Sequence, residues 1–454
     1  MKKKLYWSRY NFLVETKDGL NFLFNSYANS LIKIEDALFD SLKHFSCNED
    51  EVVDFKEFLS KMELDFFCNN FILVESDDAL VEKMQLREYA NVYSRERMSI
   101  TVAPTQNCNF NCVYCFEGNR VKSSMTEDTE NALIRYVKNE VDNHGLRKLT
   151  LCWYGGEPLL EMKRIMSITN KLKHVGLDSI SQSVVTNGYL FTQRNVDSLM
   201  EIGVENIQIT IDGVKKKHDS RRPLKNGEGS FDKIVSNLDN YYERSDNQKL
   251  QIHIRVNVDK TNKNEYEKMF DWLKTRYPYN NLFVYPGWVH ITDESKQFSV
   301  CMNAEEKNEM FFDLAKRRGI LLQEMYPSNI IRSCSTKNNN SMLVGPDGSI
   351  YKCWEDLGNI EKVVGNINNE HIWTNLSLRA KYTVGVDRFQ DSVCRECSYL
   401  PMCNGGCPLR RYENKYEGKH NNCCTYFKGH LKEYLELHYN MKIAKMQESK
   451  YTEL

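Results

Sequence analysis

Three thiols lie close together in Cys108-Asn-Phe-Asn-Cys112-Val-Tyr-Cys115, and an aromatic residue, Tyr114, precedes the last of them. Thiolates are soft ligands, and a compact group of them points to iron–sulfur or zinc. Three is the informative number. A structural zinc site normally closes with a fourth nearby Cys or His, and none follows until His144. A [4Fe–4S] cluster held by three cysteines leaves one iron open to an outside ligand. A zinc knuckle, or a redox cluster with a distant fourth ligand, is the competing reading.

A second group of thiols occupies an asparagine- and glycine-rich stretch. It runs Cys334, then Gly348-Ser-Ile-Tyr-Lys-Cys353, then Cys394-Arg-Glu-Cys397-Ser-Tyr-Leu-Pro-Met-Cys403-Asn-Gly-Gly-Cys407, then Cys423-Cys424. Such a segment has little apolar periodicity, and bound metal clusters would cross-link its loops and replace a core. A zinc ribbon at Cys394, Cys397, Cys403 and Cys407 is the alternative.

The elements that must position the first group alternate strand and helix. Strand Ser99–Ala103 runs into the cysteine loop, and Thr126 opens a helix. Strands are then expected at Leu149–Tyr154, Ser183–Thr186, Glu205–Ile211, Gln251–Val258 and Leu282–Tyr285. Helices are expected at Glu161–Leu172, Asn195–Ile202, Phe231–Tyr241 and Lys263–Arg276. This alternation predicts a parallel sheet covered by helices, with functional residues at the carboxyl ends of the strands. Polar groups fall there: Gly155-Gly156-Glu157 after the second strand, Thr186-Asn187-Gly188 after the third, and Gln208 to Asp212 on the fourth. His218, Asp219 and Arg221 follow. Arg255 and Asn257 share one side of the fifth strand. Asp212 and His218 read equally well as a satisfied turn network, and Arg255 as one half of an ion pair.

The chain has 454 residues, 41% hydrophobic and 27% charged, which suits a globular protein of about three domains. A net charge of −1 gives no electrostatic case for nucleic acid or membrane partners. No apolar run is long enough to span a bilayer, and Met1-Lys-Lys-Lys4 is followed by no apolar stretch of a signal peptide. A cytoplasmic location is expected, in which the 15 cysteines serve metals rather than disulfides. Residues 1–95 read as three short strands (Tyr10–Val14, Leu20–Phe24, Leu31–Ile34), helices at Ala37–Phe45 and Val53–Met62, and a last strand, Phe71–Val74. Cys47 and Cys68 read as small buried apolar residues. After a helix from Ala304 to Arg317 comes the Cys-rich stretch. The tail carrying Leu431, Tyr434, Leu435, Leu437 and Tyr439 reads as a helix packing back on the barrel, and Met446–Leu454 as disordered.

The C-x3-C-x2-C run resembles the signature of the radical S-adenosylmethionine (radical SAM) enzymes, and the second cysteine group resembles their SPASM extension. The resemblance covers roughly residues 97–430. It implies an α/β fold: a partial (β/α)6 barrel (96–300), a Cys-rich SPASM domain (301–430), a C-terminal helix and tail (431–454), and an N-terminal α+β domain (1–95). The last is similar to winged-helix modules that capture a leader peptide by strand addition; an ordinary cap is the alternative.

The resemblance also implies S-adenosyl-L-methionine and three [4Fe–4S] clusters. Cys108, Cys112 and Cys115 would hold the SAM-cleaving cluster, whose reduction yields a 5′-deoxyadenosyl radical. Gly155, Gly156, Glu157, Thr186, Asn187, Gln208, Asp212 and Arg255 would face SAM. Cys394, Cys397 and Cys403, with Cys423 or Cys424, would hold a distal cluster. Cys334, Cys353 and Cys407 would hold a nearer one. No cysteine follows Cys334 in Ser335–Asn340, so Cys301 or the spare member of the Cys423/Cys424 pair closes that cluster, or one iron stays open. The implied activity is peptide maturation: a thioether crosslink, with formylglycine formation in a sulfatase or peptide epimerisation as rivals. Epimerisation would use Cys152 or a spare Cys423/Cys424 thiol. The implied partners are a precursor peptide and a reductant such as flavodoxin or ferredoxin. From another class, a non-enzymatic electron carrier would cleave no SAM.

Overall fold

A computed structural model describes residues 4–46, 59–117, 121–244, 249–290, 300–320, 322, 325–330 and 334–452. The chain forms two compact units. One comprises Met1–Tyr93, Lys307–Lys337 and Tyr382–Leu454; the other comprises Ser94–Glu306 and Asn338–Lys381.

In the first unit, β1 (Tyr6–Trp7) pairs antiparallel with β5 (Leu73–Val74), while β2 (Asn11–Glu15), β3 (Asn21–Asn25) and β4 (Ser30–Ile34) form an antiparallel meander. All five residues of β3 are buried, because both faces of this small sheet are covered. On one face Leu23 and Ile34 pack with Phe39 and Leu42 of the helix Asp36–Ser46 and Phe67 of the helix Lys61–Asn69. On the other, Val14, Phe22 and Phe24 pack with Met402, Leu431 and Leu435. The tail helix packs on the N-terminal sheet, within the first unit. It extends over Leu431–Thr452, so the disorder expected from Met446 is corrected. That stretch contains neither Gly nor Pro to stop a helix.

The expected helix Val53–Met62 lies mostly outside the described residues. The described helix Lys61–Asn69 starts at Ser60, whose side chain and Glu63 cap each other reciprocally. The helix Asp77–Val92 was not expected. It seats Leu80 and Val81 against Tyr10, Phe389 and Leu400. Its buried Glu88 meets Lys337 Nζ at 2.5 Å and Arg388 Nη2 at 2.8 Å, tying together the chain segments that follow Cys334 and precede Cys394.

In the second unit, β6 (Arg97–Thr105), β7 (Lys148–Gly155), β8 (Ser179–Thr186), β9 (Val204–Thr210), β10 (Gln251–Val258) and β11 (Leu282–Trp288) lie side by side in that order, all parallel. These are the six strands expected. Ile207, Ile209, Ile252 and Ile254 are fully buried, whereas the alternating Gln208, His253 and Arg255 are less so and share the other face. Three further strands continue the sheet beyond β6. β12 (Ser341–Val344) pairs parallel with β6, and β13 (Ser349–Tyr351) and β14 (Gly365–Asn366) follow antiparallel.

The division at 301–430 is corrected accordingly, since residues 338–381 join the barrel sheet while 382–430 do not. Met342, Leu343 and Val344 are buried, and the open edge of β6 satisfies their backbone. Among the described residues no helix is long and apolar enough to cross a membrane.

Candidate active site at the cysteine loop

The cysteine loop leaves the carboxyl end of β6, and segments from three other places in the chain fix its path. Gly156 N–H donates to Thr105 O (3.1 Å) and Glu157 N–H to Asn107 O (2.9 Å). This approach needs glycine. A Cβ on Gly156 would overlap the Asn107 carbonyl oxygen and stand 2.6 Å from that of Gln106, and Gly155 has φ of +115°. The two glycines therefore admit the loop's backbone.

Glu157 is fully buried. Its Oε1 accepts from Leu159 N–H (3.1 Å) and Thr186 Oγ1 (2.7 Å), and its Oε2 from Asn187 N–H (2.8 Å). Burial pushes its pKa up, against those hydrogen bonds. The carboxylate expected to face SAM accepts these three hydrogen bonds and joins the ends of β7 and β8. Asn187 in turn donates to Asn109 Oδ1 (2.7 Å) and to Cys108 Sγ (3.8 Å).

The third segment follows β9. Asn111 N–H donates to Pro223 O (2.9 Å), Val113 N–H to Arg221 O (3.1 Å) and Lys225 N–H to Asn109 O (3.0 Å), and Phe110 is bridged antiparallel to Leu224. Around this ladder lies a buried polar network. Tyr114 Oη donates to Asp212 Oδ2 (2.5 Å) and accepts from Arg222 Nη1 (2.7 Å) and Asn257 Nδ2 (2.9 Å). Asp212 also accepts from Arg221 Nε (3.3 Å) and Asn257 N–H (3.1 Å).

His218 Nδ1 accepts from Asp212 N–H (3.2 Å), so its Nε2 carries the proton toward Ser230 Oγ (3.0 Å), which donates to Arg222 O (2.7 Å). Burial, with Arg222 and Arg221 nearby, pushes His218 well below its usual pKa. Asp212 and His218 are thus the satisfied network that was one of their two readings. Spacing missed Arg222, and it did not show that Asp212 and Asn257 meet Tyr114, because these partners lie 98 to 143 residues away from it in the chain.

Arg255 is half-buried and donates from Nε to Asn257 Oδ1 (2.8 Å). It lies against Gly287 of β11, where any Cβ would overlap it. Gln208 Oε1 accepts from Tyr285 Oη (2.5 Å). The strand register sets Gln208 beside His253 and Arg255 beside Thr210 and Tyr285, forming a polar strip on one face of the sheet. Cys152 shares a row with Thr101 and Ser183. Its thiol is pushed up to about 11 by burial, against a hydrogen bond with Ser183.

The residues around the loop fit a three-thiolate iron–sulfur centre. Burial pushes Cys108 up to about 12 and raises Cys112 and Cys115 as well, so thiolates would form there only together with metal. Buried Gln106 Nε2, Asn109 Nδ2 and Arg222 Nε have no hydrogen-bond partner. They leave polar capacity around the thiols for a ligand to satisfy. Among the described residues no three Cys, His, Asp or Glu stand as ligands of a single ion. The thiolates of a four-iron cluster bind separate irons and stand further apart.

The other cysteines divide between the units. Cys353 precedes a 3₁₀ turn in the barrel unit. Cys334, Cys394, Cys397, Cys403, Cys407, Cys423 and Cys424 belong to the other unit. There Arg411 Nη1 reaches Cys394 Sγ (3.4 Å) and Asn414 Nδ2 reaches Cys423 Sγ (3.6 Å). A Cβ on Gly406 would overlap Cys423 O, so the Cys403–Cys407 loop closes on Cys423. Cys423 is half-buried in this group, whereas Cys424 is exposed. Cys301 is half-buried in the barrel unit.

Residues 102–273 match the radical SAM superfamily. The chain carries a radical SAM domain. It is 25% identical over 367 residues to the cysteine-type anaerobic sulfatase-maturating enzyme of Clostridium novyi, covering 73% of this chain and 93% of that enzyme. Among solved structures, native anSMEcpe with bound AdoMet and Cp18Cys peptide superposes with a TM-score of 0.57 at 18% identity, over 78% of this chain and 99% of that one. Streptococcus suis SuiB superposes with a TM-score of 0.52 at 14% identity, over 94% and 99%.

Proposed function

We propose that this chain is a cytoplasmic radical SAM enzyme that matures a ribosomally made peptide by forming a crosslink, in the finer reading a Cys thioether. The carrying observation is the three-thiol loop, clamped at the carboxyl end of β6 by Gly156, Asn187 and the Arg221–Lys225 segment. When bound, a three-thiolate cluster there would supply the electron that cleaves SAM. Cys108, Cys112 and Cys115 would hold it. Asn187 and Glu157 keep the loop in register with the ends of β7 and β8. Gln208, Arg255 and Asn257 offer polar groups for SAM, and the surrounding buried network keeps water out.

Similarity to a sulfatase-maturating enzyme and to a fold solved with a peptide supports a peptide or protein substrate. The SuiB likeness covers 94% of this chain, against 78% for anSMEcpe with its peptide, and leader capture by the N-terminal sheet is part of the proposal. Two auxiliary clusters in the remaining cysteines, and a flavodoxin or ferredoxin as reductant, complete the proposal. The absence of a cysteine between Ser335 and Asn340 favours an open iron that takes a substrate thiolate.

Two other outcomes have support: formylglycine formation from the sulfatase-maturase similarity, and epimerisation from the thiol of Cys152, which shares a strand row with Thr101 and Ser183. The test is anaerobic reconstitution with iron, sulfide, dithionite and SAM, then addition of the cysteine-containing peptide encoded nearest the gene. Formation of 5′-deoxyadenosine with loss of a hydrogen pair from the peptide is expected. Unchanged mass with inverted stereochemistry gives epimerisation, an aldehyde gives sulfatase-type maturation, and no SAM cleavage overturns the proposal.

A further inference from the structure

We propose that Arg222 is the buried counter-ion of the cysteine loop, a positioning residue that sets the reduction potential of the centre held by Cys108, Cys112 and Cys115. The inference rests on the site assignment above. The backbone ladder pairs Phe110 with Leu224, Asn111 with Pro223, Val113 with Arg221 and Asn109 with Lys225. That register puts Arg222 directly opposite Cys112. Side chains of directly opposed residues in an antiparallel pair leave the same face. The guanidinium accordingly lies 5.5 Å from the Phe110 ring and bonds Tyr114 Oη through Nη1 at 2.7 Å, flanking Cys112 from both sides.

Arg222 is only 7% exposed, and its Nε has no hydrogen-bond partner among the described residues. No carboxylate lies within ion-pair distance of it among the described residues. The neighbouring carboxylates are committed elsewhere: Asp212 to Tyr114, Arg221 and Asn257, Asp259 to Arg221 and Thr261, and buried Glu157, which also feels the Arg222 charge, to Leu159, Thr186 and Asn187. A buried cation with no carboxylate in direct contact is incompletely compensated, and a protein retains one where a further anion arrives with a ligand. Three thiolates on an iron–sulfur centre bring that charge. Each electron added makes the centre more negative, so a fixed cation in a low-dielectric site favours the reduced state and raises the potential. The backbone of Arg222 is held for this purpose through its carbonyl, by the His218–Ser230 relay.

The test measures the midpoint potential of the iron-loaded protein by EPR-monitored titration without SAM or peptide, so it is independent of turnover. Arg222→Met should shift the potential to a more negative value, whereas Arg222→Lys, which keeps the charge and loses the planar fork, should stay near the parent. Arg222→Gln, which removes the charge and keeps a polar side chain, should shift it the same way as Arg222→Met, which decides the matter even if Arg222→Met does not fold. An unmoved potential in Arg222→Met or, where that variant does not fold, in Arg222→Gln overturns the inference, as does a shift in Arg222→Lys as large as in the neutral variants. If the parent protein loads no cluster at these three cysteines, the site assignment itself fails.

Discussion

Phe22 on the central N-terminal strand and Tyr439 on the last helix meet edge to face, with ring centroids 4.6 Å apart. They close one core around the first forty and the last twenty or so described residues. Leu435, 1% exposed in that core, is its most sensitive point. Leu435→Ala should destabilise this unit by about 3 kcal/mol. Amide hydrogen exchange should then show lost protection in β2–β4 with β7–β10 unaffected. Equal loss in both sheets would contradict a core confined to this unit.

Gly156→Ala should dislodge the cysteine loop, because the added methyl meets two backbone carbonyls that cannot rotate away. The expected outcome is a folded barrel that loads about four fewer irons per chain. Iron analysis and circular dichroism on the same sample check this. Full iron content would mean that the loop tolerates the displacement.

Glu130 sits fully buried on the helix Glu127–His144, facing Arg164, Lys171 Nζ at 2.6 Å and Ser167 Oγ at 2.5 Å. Burial alone would raise its pKa, but these donors bring the net shift below the usual carboxylate value. Its stabilisation is therefore present above the unfolded-state pKa and lost as pH falls through the folded one. Glu130→Gln should cost about 2 kcal/mol at neutral pH, moderated by the part-exposed Lys171. It should also flatten the acid limb of a urea-denaturation series below about pH 5. An acid limb as steep as the parent's would show that other groups carry it.

Cys152, with its thiol raised to about 11, should react with iodoacetamide at pH 8 roughly 100-fold more slowly than an unperturbed thiol. Peptide mapping against exposed Cys424 provides the comparison. Equal labelling of the two would remove the support for Cys152 as a protonated hydrogen donor.

The barrel was legible because each of its strands is a short apolar, aromatic or β-branched run close to turn residues, and Thr126 marks its helix start by a local cap. What stayed hidden was nonlocal. β12–β14 lie in an asparagine- and glycine-rich stretch and exist because β6 offers a free edge. The helix Asp77–Val92 buries few apolar residues and so shows a weak stripe. Glu157 and Asp212 stood out as site residues, but only the folded chain shows their oxygens occupied by Asn187, Thr186, Tyr114 and Asn257. Arg222 carries no spacing signal; it gains meaning only opposite Cys112.

The covering of β2–β4 by the Leu431–Thr452 helix has a consequence for biogenesis. Phe22 and Phe24 leave the ribosome long before Leu431 and Leu435, so they receive their lid only after the intervening barrel has been synthesised. Until then the nascent protein displays a greasy, half-finished surface, and premature termination upstream of residue 431 leaves it permanently uncovered as prey for chaperones and proteases.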